Sequence, residues 1–412
     1  MQNYQTAPLT RDARVVFVQT GDFRGADQRI RDGIGETYHA QKYSMSVVER
    51  LVPKTALAAV ICVRTPDPYD EVLPSGVRAI GMKGIWQLAR PFDAVNAQLE
   101  ALGATHLVLR LPDSPCVHWA RRNQVRVLPC LADSFAPRWN LRGLRARLRL
   151  FQLARAYNHP SVEYIGNHNL AASRSLTRIG VAPEKIVPWD WPRTPTPDDF
   201  PAKDSPKPGA KHLVTVGSIS EAKGTSDVIR ALAADPGMGD GATLDVVGPG
   251  EIDAMRALAT SLGVADRVTF TGRVGHAEVG PRMHAADAVL VYSRKGYGEG
   301  LPGTIYAGLA SRTPMVLSDH PMFTAYLQDG EDVLFAPDQD PNALAGRLRN
   351  LFDDPDLYAR ISQNSAAAFE RIKHPVLWGE FVERWLHNTP QDRAWLQQNA
   401  LPHWTDPAAG KN

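Results

Sequence analysis

Short, mostly apolar runs alternate with helix-like segments in the first half of the chain. The apolar runs lie at residues 14–20 (RVVFVQT), 56–64, 105–111 and 125–131. Such runs are typical of parallel strands that are buried on both faces of a sheet. A helical pattern across about residues 37–51 separates the first two. Strands that alternate with helices predict a doubly wound parallel sheet.

The alternation stops at residues 191–211 and then starts again. This segment reads WPRTPTPDDFPAKDSPKPGAK, which is rich in proline and poor in apolar residues, as linkers are. After it, strands are predicted at 212–216, 243–247, 268–271 and 288–292, with helices over 226–232, 252–262 and 277–286. The tail after Pro375 is rich in tryptophan and is predicted to be helical.

Two Rossmann-like α/β domains are therefore expected, and the length of 412 residues suits two cores. The predicted division is an N-terminal domain at 1–193, a linker at 194–211, a second domain at 212–375 and, at 376–412, a helical tail packed on the domains.

Charge and cysteine content narrow the possible partners and compartments. The net charge of +2 argues against a protein built around a polyanion. Cys62, Cys116 and Cys130 lack the spacing of metal ligands, so buried thiols in a reducing compartment are expected. The N-terminus lacks the apolar core of a secretory signal, and no run of about 18 apolar residues exists. A cytoplasmic protein is predicted.

Candidate chemistry lies where strands end, because ligands of open parallel sheets bind beyond the carboxyl ends of strands. After the strand at 212–216 the chain reads GSISEAKG, residues 217–224. Glycine permits a sharp turn, and Lys223 at the following helix start could hold a phosphate. The alternative is a solvated lysine beside an ordinary turn. Further glycine turns follow the next two strands, and their recurrence on one sheet edge favours a ligand site.

The segment after the strand at 288–292 reads SRKGYGEGLPGT, residues 293–304. Pro302 suits the first turn of a helix, where free N–H groups and the helix dipole attract anions. Glu299 directly before this helix would be a poor phosphate ligand but a good acceptor for sugar hydroxyls. The alternative is an acid that stabilises the helix dipole.

Taken in order, these motifs resemble glycosyltransferase family 4. The matching segments are VGSISEAKG, LDVVGPG, DRVTFTGRV, AADAVLVYS, EGLP and ASRTPMV, and the similarity covers about residues 212–370. The resemblance implies a GT-B fold, with two Rossmann-like domains facing across a cleft. It also implies a retaining transferase that uses a UDP- or GDP-sugar and needs no metal or other cofactor.

The resemblance further implies the residues of a donor site. Lys223 would bind the donor diphosphate, and Glu299 would hold hydroxyls of the donor sugar, both as catalytic residues. The backbone of Val274 would contact the nucleobase. Gly35, which lies in a degenerate glycine loop of the first domain, would contact the donor phosphate. The full set of donor-binding residues so implied is Gly35, Gly217, Ser218, Val274, Arg294, Lys295, Gly300, Leu301, Pro302, Thr304 and Ala307.

Two positions depart from the family pattern. Ser218 stands where the family usually has arginine, and Ala307 stands where a second glutamate usually binds the ribose. Arg294 and Lys295 are candidates to replace the missing arginine charge. The alanine at position 307 has two possible interpretations, an unusual donor site or an engineered substitution. It also leaves open a weak or non-catalytic sugar-nucleotide-binding protein, and a sugar-nucleotide epimerase is a further alternative on this fold.

The acceptor side is less defined. Asp133 and His168 follow strand-like runs in the first domain and are candidates for the acceptor cleft, with capping or buried polar roles as the alternative. Residues 138–155 form a basic amphipathic pattern without an acid, which is typical of helices that lie on an anionic membrane. The alternatives are a solvated surface helix and a helix that binds an anionic acceptor. No motif indicates nucleic acid. The expected acceptor is a glycan or lipid-linked glycan of the cell envelope, reached from the inner face of the membrane.

Overall fold

The structure is a computed structural model, and it describes residues 9–36, 39–85, 91–135, 144–235, 241–298 and 301–404. Glu299, Gly300 and residues 138–143 of the basic segment lie outside these ranges. The described chain divides into two compact units. The first runs up to Pro192 and resumes at His374, and the second runs from Arg193 to Lys373.

An eight-stranded sheet forms the centre of the first unit. Its strands are β1 (Arg14–Gln19), β2 (Leu57–Cys62), β3 (Tyr69–Val72), β4 (Arg78–Gly81), β5 (His106–Leu109), β6 (Arg126–Leu131), β7 (Ile165–His168) and β8 (Ile186–Trp189). They lie in the order β3-β4-β2-β1-β5-β6-β7-β8, and all pairs are parallel except β3 with β4. The order changes direction between β1 and β5.

Both faces of this sheet are covered, as its apolar strands predict. On β1, Val16 and Val18 belong to one apolar cluster, whereas Val15 and Phe17 belong to another. Successive side chains of a strand point to opposite faces, so each face has its own core. The helices before the second unit are α1 (Phe23–Arg31), α2 (Gln41–Glu49), α3 (Pro91–Ala101), α4 (Ser114–Arg122), α5 (Leu144–Tyr157) and α6 (Leu170–Arg178).

The second unit contains a six-stranded, fully parallel sheet. Its strands are β9 (Lys211–Val216), β10 (Ala242–Val247), β11 (Val268–Gly272), β12 (Ala288–Val291), β13 (Met315–Ser318) and β14 (Leu334–Ala336), in the order β11-β10-β9-β12-β13-β14. Its helices are α7 (Thr225–Ala234), α8 (Ile252–Ser261), α9 (His276–Ala285), α10 (Gly303–Ala310), α11 (Pro321–Thr324), α12 (Pro341–Asp353) and α13 (Pro355–Ile372). The order changes direction between β9 and β12.

The C-terminal tail packs on the first unit. It contains α14 (Trp378–His387) and α15 (Pro390–Gln398). Trp378 and Trp385 are buried in one of the two cores of the first unit. The indole N–H of Trp378 donates to Cys130 Sγ (3.1 Å), and its backbone N–H donates to the carbonyl of Asp190 (2.9 Å). The chain therefore returns to its first unit after it completes the second.

The proline-rich segment that the sequence assigns to a linker lies against the second unit. Phe200 stacks on His284 with ring centroids 4.9 Å apart, and the N–H of Lys203 donates to Ser362 Oγ (2.7 Å). Composition predicts the lack of long regular elements here. It does not predict these single anchoring contacts, because they depend on partners distant in sequence.

Candidate functional site

A cavity of about 220 Å³ lies at the switch point of the second sheet, beyond the carboxyl ends of β9, β10 and β12. A crevice opens at such a point because the connections from the two neighbouring strands leave in opposite directions. Five predicted donor-site residues line it: Gly217, Ser218, Lys223, Pro302 and Thr304. The other lining residues are Thr215, Val216, Ile219, Thr225, Val246, Val247, Val291, Tyr292 and Ser293.

Two glycines allow the loops around the cavity to approach one another. Gly224 has φ +72°, and a Cβ there would lie 2.0 Å from the carbonyl oxygen of Tyr292. Gly248 has φ +142°, and a Cβ there would lie 1.8 Å from the carbonyl oxygen of Gly217. Any side chain at either position would push the strand-end loops apart. These glycines therefore maintain the shape of the cavity.

Lys223 lies at the end of the loop between β9 and α7. Its backbone N–H donates to the carbonyl of Ser220 (3.2 Å), which holds the loop in a turn. Its ammonium lies 5.0 Å from the ring centroid of Tyr297. The side chain is half-buried, so its charge is less screened by water than that of a fully exposed lysine.

The N-terminus of α10 is the second positively polarised group at the cavity. Pro302 is the residue directly before the helix, one position earlier than the sequence pattern indicates, and Thr304 is in the first turn. The first amides of a helix have no partner within it, and the helix dipole adds partial positive charge there. Leu301 is buried, which leaves its backbone as the group that could face a ligand. Pro302 has no N–H and contributes shape only.

Arg294 does not line the cavity but ties its loops together. Its guanidinium forms two hydrogen bonds with Asp227 (3.0 and 3.1 Å) and an ion pair with Glu221 (2.5 Å). The hydrogen bond with Asp227 is the main cause that raises the pKa of Arg294. Its backbone N–H donates to the carbonyl of Ala222 (3.0 Å), the neighbour of Lys223.

Lys295 is likewise engaged in ion pairs, with Asp319 at 2.7 Å and Asp338 at 3.5 Å. The hydrogen bond with Asp319 is the main cause that raises the pKa of Lys295. The structure thus places the charges of Arg294 and Lys295 against carboxylates. Neither residue is among those that line the cavity with Ser218.

Ala307 and Val274 are not among the residues that line the cavity. Ala307 follows Thr304 by three residues on α10, so the two lie on the same side of the helix. It is partly exposed, whereas most of the helix around it is buried. Val274 lies two residues beyond β11, whose last residue, Gly272, accepts a hydrogen bond from Gly248 N–H (2.8 Å).

The remaining predicted residues belong to the first unit. Gly35 is exposed with φ +90°. Asp133 follows β6 and is exposed. The side chain of Asn167, on β7, accepts a hydrogen bond from the backbone N–H of Asp133 (3.2 Å) and donates one to the backbone carbonyl of Asp133 (2.9 Å). His168 Nε2 lies 3.1 Å from Oδ1 of Asp190, which is buried. Asp133 and His168 thus lie at neighbouring strand ends.

Sequence reasoning missed two structural features, one in each unit. One is the Asp227–Arg294 pair, whose partners are far apart in sequence. The other is Arg110, directly after β5, which interrupts the otherwise apolar end of the run THLVLRL. A single charge at the carboxyl end of a buried strand was the available signal for Arg110.

Most of the second unit is similar to a known protein family. Residues 198–368 match the family described as Glycosyl transferases group 1. The match confirms the resemblance that the motifs predict at the level of this broader family. This part of the chain is therefore similar to glycosyl transferases group 1 domains.

Curated relatives are similar over part of the chain. A lipopolysaccharide core biosynthesis glycosyltransferase, LpsE of Rhizobium meliloti, is 28% identical over 200 residues, covering 48% of this chain and 50% of its own. A phosphatidyl-myo-inositol mannosyltransferase of Mycobacterium leprae is 30% identical over 173 residues, covering 42% of this chain and 45% of its own. The chain thus spans about half the length, or less, of these relatives.

Solved structures show the same fold over a much larger share of the chain. HepE of Anabaena, solved in complex with UDP-glucose, has a TM-score of 0.63 at 15% identity and covers 93% of this chain and 99% of its own. At this identity the likeness shows the fold alone. The predicted fold class, GT-B with two Rossmann-like α/β domains, is confirmed.

Proposed function

We propose that the protein is a retaining glycosyltransferase that moves a sugar from a nucleoside-diphosphate sugar to a hydroxyl acceptor. The observation that carries this proposal is the cavity at the β9/β12 switch point. It brings together the ammonium of Lys223, the start of α10 and the hydroxyl of Thr304. These groups are suited to bind a diphosphate, and they lie in the part of the chain that is similar to glycosyl transferases group 1 domains.

The chemistry follows from where charge develops. Negative charge accumulates on the diphosphate as its bond to the anomeric carbon breaks. Lys223 and the first amides of α10 would stabilise that charge, because they are fixed before the reaction starts. The Arg294–Asp227 pair would act as a positioning contact, since it holds the loop that carries Lys223. In this proposal the acceptor attacks from the same face of the sugar, without a covalent enzyme intermediate.

Relatives and structural neighbours support a choice of substrates. HepE was solved with UDP-glucose, which supports a UDP-sugar among the candidate UDP- and GDP-sugar donors. The named relatives act in lipopolysaccharide core biosynthesis and on phosphatidyl-myo-inositol. A glycan or lipid-linked glycan of the cell envelope is therefore the acceptor class that we propose, with Asp133 and His168 as candidate acceptor contacts.

Ala307 supports a second candidate, a sugar-nucleotide-binding protein with weak or absent catalysis. A panel of UDP- and GDP-sugars distinguishes the two. The ligand that binds the folded state should raise the melting temperature, and a transferase should also release free nucleoside diphosphate from it slowly. Binding without any release or transfer would favour the second candidate, and no binding to any donor would contradict both.

Metal chelation provides the first prediction. No group of three or more His, Cys, Asp or Glu side chains among the described residues is arranged as a metal site. We propose that Lys223 and the start of α10 supply the positive charge for the leaving diphosphate. EDTA should then leave the initial rate of sugar transfer unchanged. Inactivation by EDTA that one divalent cation reverses would contradict this prediction.

We further propose that α5 contacts an anionic membrane surface at the inner face of the membrane. Leu148 and Phe151 are 56% and 62% exposed, which is unusual for large apolar side chains on a helix. Arg145, Arg149 and Arg155 are exposed on the same helix, which carries no acid. Exposed apolar and cationic side chains together are typical of interfacial helices. Within the described chain, no helix is long and apolar enough to cross a bilayer.

Liposome binding provides the second prediction. Replacing Arg145 and Arg149 by glutamine should lower binding to phosphatidylglycerol-containing vesicles by about 30-fold and reduce its salt sensitivity, because each arginine near the surface contributes about 1 kcal/mol by attracting lipid phosphates. The matched control replaces Arg121 and Arg122, two exposed arginines at the end of α4, by glutamine. Sedimentation with vesicles measures both. Equal losses in the two double variants would contradict a specific role of α5.

A further inference from the structure

The first unit has its own switch point, between β1 and β5, where the strand order changes direction. Gln19 is the last residue of β1, and Arg110 directly follows β5. The two side chains meet there, with Arg110 Nη1 donating to Gln19 Oε1 (2.7 Å). By the same topological argument that locates the cavity of the second unit, this is the place in the first sheet where a ligand is expected.

The local structure holds the guanidinium of Arg110 in place. Gln19 is oriented by its own hydrogen bond, because its Nε2 donates to the carbonyl of Gly21 (3.2 Å). The guanidinium carbon lies 5.0 Å from the ring centroid of Trp378 and 5.8 Å from that of Trp191. An amide and two aromatic rings thus surround a half-buried cation. Such a site is pre-organised, since little side-chain freedom remains to be lost on binding.

Arg110 differs from Arg126 and Arg384, two other shielded arginines of the first unit, in having no acidic partner among the described residues. Arg126 pairs with Glu163 (2.9 Å), and Arg384 pairs with two acids, at 3.1 Å each. Among the described residues, no carboxylate lies within ion-pair distance of Arg110, and its side chain hydrogen-bonds to the Gln19 amide.

Cation–π contacts offset part of the loss of hydration, but the rings accept few of the five N–H groups that a guanidinium offers. Some of these donors, and the positive charge, are therefore left for a ligand. A planar guanidinium matches phosphate and carboxylate oxygens with two parallel hydrogen bonds. The site thus favours an oxyanion over a neutral sugar hydroxyl.

We propose that Arg110, positioned by Gln19, Trp191 and Trp378, binds a phosphate or carboxylate group of a substrate at the β1/β5 switch point. This proposal rests on the proposed glycosyltransferase function, because the substrate that carries the anion is then either the acceptor or the sugar donor. It extends that function by assigning an anion-binding residue to the first unit. No proton or group transfer is assigned to Arg110.

The test measures binding to the full chain by saturation-transfer NMR, with glucose 1-phosphate, glucuronate and uncharged methyl glucoside as probes. At least one anionic probe should bind more tightly than methyl glucoside. Arg110→Gln should weaken that probe by at least about fivefold and leave methyl glucoside unchanged, since the lost contact is specific to charge. Arg110→Lys should recover part of the affinity, because a lysine keeps the charge but not the paired hydrogen bonds.

A matched control and a second titration make the outcome decisive. Arg122→Gln removes the same charge from an exposed position and should change nothing. Titration of the parent and Arg110→Gln proteins with UDP and GDP shows whether the anion is the donor's diphosphate. A fivefold loss of affinity for UDP and GDP, with unchanged affinity for glucose 1-phosphate and glucuronate, would assign the site to the donor. If Arg110→Gln changes neither titration, or weakens methyl glucoside equally, the proposal is wrong. If UDP and GDP do not bind the parent protein but glucose 1-phosphate binds through Arg110, the proposed function fails and the anion site remains.

Discussion

Replacing Lys223 by alanine is expected to reduce kcat/KM for sugar transfer by about 30- to 1000-fold. The reason is the loss of one fixed charge beside the departing diphosphate, a type of contact that contributes about 2–4 kcal/mol to transition-state stabilisation. Lys223 lies on a loop at the cavity and is only half-buried, so its removal leaves no cavity in the core. The melting temperature should therefore change little. Steady-state kinetics and thermal unfolding of the same preparation measure both effects.

Lys373→Ala is the matched control for this prediction. Lys373 belongs to the same unit but pairs at the surface with Glu370 (2.8 Å) after α13, away from the cavity-lining residues. It should retain the parent rate. Lys223→Arg should keep part of the activity, because the positive charge remains. Rates for Lys223→Ala within about threefold of the parent would contradict the role of Lys223 in charge stabilisation.

Replacing Ala307 by glutamate is expected to tighten nucleoside-diphosphate binding by about tenfold or more. A carboxylate that accepts hydrogen bonds from ribose hydroxyls contributes about 1.5–3 kcal/mol where water is excluded, and 1.4 kcal/mol is a factor of ten in affinity. The structure makes this feasible, because position 307 is partly exposed and lies one helical turn beyond Thr304, which lines the cavity. Activity should also rise if donor binding limits it.

Calorimetric titration with UDP and GDP measures the effect of this substitution. Ala307→Gln is the control, since glutamine has nearly the same size as glutamate but no charge, and it should give a smaller gain. Unchanged or weaker affinity in Ala307→Glu would mean that the ribose does not lie beside this position. In that case the family-based placement of the nucleotide would be wrong, although the diphosphate site at Lys223 could stand.

Local pattern alone determined the strands that build both sheets. Residues 14–20, 56–64, 212–216 and 243–247 are predicted as strands, and β1, β2, β9 and β10 lie there to within two residues at either end. β1 and β2 are buried on both faces, so almost every position must be apolar and the signal does not depend on which neighbours they pair with. β9 and β10 carry fewer buried positions, but their apolar residues still mark them. The same local logic predicted Lys223 and Pro302 near one edge, because strand ends and helix starts can be read from adjacent residues.

Only the tertiary structure decided which distant groups meet. Sequence pattern assigned the tail to packing on the domains in general, whereas Trp378 and Trp385 are buried in the core of the first unit. It offered Arg294 as a free charge for the donor site, whereas Asp227, 67 residues away, binds it. Composition and periodicity indicate which positions of each segment are exposed to solvent and how the segment interacts with residues adjacent in sequence. Which acid pairs with which base, and which core a helix covers, depends on contacts between segments far apart in the chain, and these form only when the sheets are assembled.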